Sequence, residues 1–193
     1  MDTYLEVAID KTKRSEIVLS YYLAPVILKE KPAGLFAFHQ ETSRYAIEIA
    51  RALGVHCFKL TSKEEKDYLF FYQEDLLWET VRIEGNQSYL EQFGYHIGEG
   101  GNTEELLAVL KEHFQSCLLE QKPFPHEIGI LLGYPLDDVK AFILKNGQEA
   151  LLTGYWKVYH NLETARKTFA KYDQARKKLL LFVTEHPLSD WAQ

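Results

Sequence analysis

Two stretches of the chain carry side chains that could do chemistry. His126-Glu127 sets an imidazole beside a carboxylate just ahead of the apolar cluster Ile128, Leu131 and Leu132. Further on, Tyr155, Lys157 and Tyr159 alternate with Trp156, Val158 and His160, the period-two spacing of a strand, which puts the lysine on one face with two tyrosines. An imidazole at a helix start and a lysine among phenols could hold an anionic or carbonyl-bearing small molecule, or move a proton. Lys31 joins them as a further cation. The candidate ligand-binding set is therefore His126, Glu127, Tyr155, Lys157 and Lys31, with no catalytic residue, cofactor or metal assigned. Each also has an ordinary structural role to fill: helix-start residues, a wet lysine and amphipathic tyrosines.

Other chemistries lack their patterns. A zinc-protease helix needs a second histidine four residues after the first, and Ile130 stands there. Gly98-Glu99-Gly100-Gly101 has the spacing of neither nucleotide-binding glycine loop, and reads as a turn before an Asn102 or Thr103 helix cap. No nucleophile elbow is present, and His39, His56, His96, His113, His160 and His186 show no ligand spacing with one another.

The elements that must position the set read as α and β mixed. Pro123 and Pro125 interrupt the chain, a short helix opens at about His126, and Gly133 closes it in the left-handed conformation. Pro135 starts the next helix, with Asp137 and Asp138 at its positive end and Leu136, Val139, Phe142 and Ile143 on one face. Trp156 is the expected buried anchor of the strand that follows. Upstream, helices are expected over 15–29, with Pro25 kinking or ending the first, and over 42–53, with strands over 35–39, 55–60 and 67–72. Short helices over 74–83 and 87–93, an amphipathic helix over 103–119 and a basic helix from residue 162 to about 183 complete the list. The strand, helix, strand order implies parallel neighbours, and the short loop 61–66 an antiparallel return. The expected fold is α+β: a mixed sheet of about four strands covered by helices, a single domain over residues 1–186 and a loose tail over 187–193.

The paired helices at 126–146 allow a second reading, an interaction or regulatory protein, because their spacing matches that of a helix-turn-helix. Its recognition helix would begin Pro135-Leu136-Asp137-Asp138, two carboxylates where phosphates must approach. Composition points the same way. The 193 residues, 46% hydrophobic and 26% charged, suffice for one core, and a net charge of -6 gives no footprint for nucleic acid or an anionic membrane. Small molecules or proteins are the expected partners, with nucleic acid disfavoured. No apolar run approaches the roughly 20 residues of a membrane helix, the N-terminus has no signal pattern, and the two cysteines, Cys57 and Cys117, lie in apolar segments. The expected location is cytoplasmic.

The string PHEIGILLGYPLDDVKAFILKNG with the later GYWKVY resembles the signature of an uncharacterised bacterial family, a domain of unknown function seen mainly in anaerobic Gram-positive lineages. LAPVILKEKPAGLF, DYLFFYQ and YLEQFGY extend the resemblance over nearly the whole chain. It implies a single-domain cytoplasmic bacterial protein and carries over no site residue.

Overall fold

The computed structural model describes residues 11–192. The N-terminal stretch in which the sequence shows no signal pattern lies mostly outside them. Helix α1 (Lys11–Ile27) leads to strand β1 (Ala33–His39), helix α2 (Gln40–Ala52), and the hairpin β2 (His56–Lys63) and β3 (Lys66–Tyr72). Five helices follow: α3 (Glu74–Val81), α4 (Glu84–Glu91), α5 (Thr103–Glu120), α6 (Ile128–Leu131) and α7 (Leu136–Leu144). A two-stranded ribbon, β4 (Leu152–Thr153) and β5 (Lys157–Val158), precedes the long helix α8 (Leu162–Glu185). The architecture is α+β in a single domain.

The sheet differs from expectation in its pairing. β3 lies between β1 and β2 and runs antiparallel to both, so the sheet is antiparallel rather than mixed. β1 and β2 do point the same way, as a helical crossover requires, but the returning strand fills the gap between them. β3 can take that place because both its faces are apolar. Leu69 and Phe71 enter a core made with α1, α2 and α8, while Phe70 and Tyr72 enter a second core made with α3, α5 and α6. With the β4–β5 ribbon there are five strands in two sheets among the described residues, not about four in one.

Residues 187–193, expected to be loose, include a packed 3-10 turn over Leu188–Ala192. Leu188 is fully buried beneath α2 and α8, and Trp191 meets Phe182 edge to face. Other local readings hold. Asn102 caps α5 by accepting from Glu105 N at 2.9 Å, and Gly133 has φ +80°.

Candidate functional site

A third, smaller cluster of Trp156, Val158, Ala165 and Tyr172 forms where the β4–β5 ribbon lies on α8. Tyr134 stacks on Trp156 at 5.4 Å and joins it to the core beneath α6 and α7. Two cavities sit where the three clusters meet.

The first, about 460 Å³, is lined by Lys31, Tyr155, Asp173 and Arg176, with Phe36, Tyr134 and Phe169 among its apolar walls. Its cations are placed by a local consequence of Pro25. A proline has no N–H, so the Tyr21 carbonyl, four residues earlier in α1, lacks its helical donor. Arg176 Nε of α8 donates to that carbonyl at 3.1 Å, and its Nη1 to the Tyr21 hydroxyl at 3.3 Å. The guanidinium is held between the Tyr21 ring at 4.2 Å and the Tyr155 ring at 4.5 Å, and Nη2 has no hydrogen-bonding partner among the described residues. The Tyr155 hydroxyl donates to Asp173 at 2.8 Å; burial first, and this bond second, hold its pKa above the ordinary phenol value.

Lys31 sits just after α1, where its N–H and that of Glu30 both donate to the Pro25 carbonyl. Its side chain is only 8% exposed, with Nζ 5.2 Å above the Tyr134 ring. Among the described residues the amine has neither a carboxylate nor a hydrogen-bond acceptor. Burial, and secondly the charge of Arg176, lower its pKa from 10.5 to about 8.

The second cavity, about 400 Å³, is mostly apolar, walled by Phe124, Ile128, Val139, Phe142 and Trp156 with His126 and Lys157 as its basic groups. Leu35, Leu132, Tyr134 and Gly154 bound both cavities. Gly129 lets α7 approach here, since a Cβ on it would meet Val139 at 2.9 Å. Lys157 Nζ donates to the Gly147 carbonyl at 2.6 Å and lies 5.9 Å from the Phe142 ring centre, so it is half-buried and braces the end of α7. His126 packs between Phe124 at 5.4 Å and Phe142 at 5.1 Å.

Asp138 holds the second cavity together. Buried in the first turn of α7, it accepts from Trp156 Nε1, Tyr159 N and His160 N, each at 2.8 Å. These bonds take the chain out of its alternation after Val158. Tyr159 is buried and His160 exposed, the reverse of the strand pattern. Of the two carboxylates in the first turn of α7, Asp137 is exposed and Asp138 is buried.

The five residues singled out from the sequence are thus divided. Lys31 and Tyr155 line the first cavity, His126 and Lys157 the second, and Glu127 neither. Glu127 is 3% exposed and pairs with His113 Nδ1 at 2.8 Å, giving a partner to a histidine whose spacing had shown none. Sequence reasoning missed Arg176, which lies in a basic run that reads as a solvated face. The available signal was Pro25, whose missing donor leaves a helical carbonyl for another group. Among the described residues, no three His, Cys, Asp or Glu side chains converge to hold a metal, and no helix is long and apolar enough to cross a membrane.

Compared with known proteins, the chain matches no curated protein and no solved structure. Residues 19–189, which span both cavities and the core around them, do match a family, and the chain belongs to it: Protein of unknown function (DUF3793).

Proposed function

We propose that the protein binds a small organic anion with an apolar body. The observation that supports this reading is Lys31: a buried amine, without an anionic partner among the described residues, on the wall of a cavity of about 460 Å³. Burying an unpaired charge is costly, and a bound anion offsets that cost. Arg176 supplies the second cation, with Nη2 open to a carboxylate or phosphate oxygen. Phe36, Tyr134 and Phe169 suit an aromatic or aliphatic body. Gly154 bounds both cavities, and the Phe169 ring packs where a side chain on it would stand, so the apolar body is confined to the first cavity.

Titration calorimetry with 3-phenylpropionate and octanoate, with intrinsic tryptophan fluorescence as a second signal, tests the reading. Both acids are expected to bind, and Lys31→Met to weaken binding by about tenfold or more, the worth of one charge-assisted hydrogen bond. Failure of both acids to bind, or equal affinity in the Lys31→Met variant, overturns it.

A further inference from the structure

We propose that Lys31 is a carbonyl-reactive amine, and that the natural ligand is a 2-oxo acid with an apolar side chain held through a reversible imine to its Nζ. This rests on the anion-binding reading above and goes beyond it. Three features of the cavity carry it. The amine has no carboxylate or hydrogen-bond acceptor among the described residues to hold it as an ammonium, and it lies over the face of the Tyr134 ring, 5.2 Å from its centre. Arg176 stands on the same cavity wall, fixed by the Tyr21 carbonyl and two aromatic rings, with Nη2 free for the ligand carboxylate. A 2-oxo acid has its carbonyl carbon next to that carboxylate, so anchoring one group on Arg176 holds the other in the cavity that Lys31 also lines. For charge alone, arginine is the better residue at both positions; a buried lysine adds a nitrogen that can lose its proton.

The pKa agrees. With a value of about 8, about a tenth of the Lys31 amines are neutral at pH 7, against fewer than about one in a thousand for a lysine at 10.5. In the reaction, the Nζ lone pair adds to the carbonyl carbon, the C–N bond forms, and the carbonyl oxygen takes a proton. The carbinolamine then loses that oxygen as water, with a proton from nitrogen, leaving the C=N bond. No electron is gained or lost. Protons exchange at the cavity mouth, where Asp173 is exposed and accepts from Tyr155.

The test is borohydride trapping on the full chain with phenylpyruvate, followed by peptide mass spectrometry. 3-Phenylpropionate, which has no carbonyl, serves as competitor. The expected result is a reduced adduct on Lys31, suppressed by 3-phenylpropionate, absent from Lys31→Met and reduced about tenfold in Arg176→Met. Its rate rises with pH and levels off near 8, whereas exposed lysines continue to gain reactivity toward 10.5. Site mapping is done on the unsubstituted chain, so the proposal stays open to refutation if a variant fails to fold. Phenylpyruvate that binds without an adduct at Lys31, or adducts spread evenly over surface lysines, overturns the imine and leaves anion binding standing. If neither phenylpyruvate nor 3-phenylpropionate binds, both readings fall.

Discussion

Replacing Lys31 by methionine should make the unliganded protein more stable at neutral pH, and the gain should vanish in alkali. Methionine keeps most of the buried unbranched stem and removes the charge. The lysine titrates at about 8 in the folded chain and at 10.5 when solvated. At 1.36 kcal/mol per pH unit, that difference is a penalty of about 3 kcal/mol on the folded state. The sign follows from proton counting. Below about pH 8 both states carry the proton and the penalty is fully present; between about 8 and 10.5 the folded state releases it first, so the unfolded state binds more protons and stability rises with pH. Above 10.5 the amine is neutral in both states and the penalty is gone. Loss of the cation-π contact with Tyr134 subtracts about 1 kcal/mol, leaving an expected gain of about 2 kcal/mol at pH 7. Urea melts of both proteins at about pH 7 and about pH 10 read this directly, as a shift in midpoint at constant slope. A Lys31→Met variant less stable than the parent at pH 7, or a difference that does not shrink with pH, would refute the reasoning.

Three further substitutions probe the frame of the site. Gly133→Ala puts a Cβ at φ +80° and 2.7 Å from Pro32 Cδ, so a loss of about 2 kcal/mol is expected in denaturant melts, against no change if the turn relaxes freely. Asp138→Ala leaves the Trp156 indole and the amides of Tyr159 and His160 without their acceptor; the expected cost is about 3 kcal/mol or more, and an unchanged melt would show that the ribbon is held by packing alone. Tyr95→Phe removes a buried hydroxyl that has no hydrogen-bond partner among the described residues, and should stabilise by about 1 kcal/mol; a loss of similar size would reveal a bond made in solution.

Residue types were legible where one local rule decides. Gly133 takes the left-handed position because a helix stops there before a proline, and Asn102 caps α5. Trp156 is buried on the face that alternation assigns it, and α5 buries Leu106, Leu107, Leu110 and Phe114 along its apolar side. Pairing was less legible. Nothing within DYLFFYQ says whether that strand adds to an edge or inserts between its predecessors, since an apolar strand satisfies either. The ribbon strand Leu152–Thr153 is too short to show a period. Tyr159 and His160 change sides because a carboxylate some twenty residues earlier takes both their amides, and no window around them contains that information. Glu127 reads as a site residue only while His113 is out of view. Lys31, Tyr155, His126 and Lys157 were singled out by residue type, and the structure divides them between neighbouring cavities; Arg176 was passed over because charge runs on helices usually face solvent.

The bond from Arg176 to the Tyr21 carbonyl joins residues 155 apart in the chain, across the packing of α8 on α1. Contacts of such separation pay their loop-closure entropy before they return any energy, so they form after local helices and the β2–β3 hairpin. In refolding, the β2–β3 hairpin and the locally formed helices are therefore expected to precede the docking of α8 on α1, which brings Arg176 to the cavity that Lys31 lines. Recovery of the Arg176–Tyr21 contact is expected to lag recovery of helical signal, and marks the moment at which the two ends of the fold close on each other.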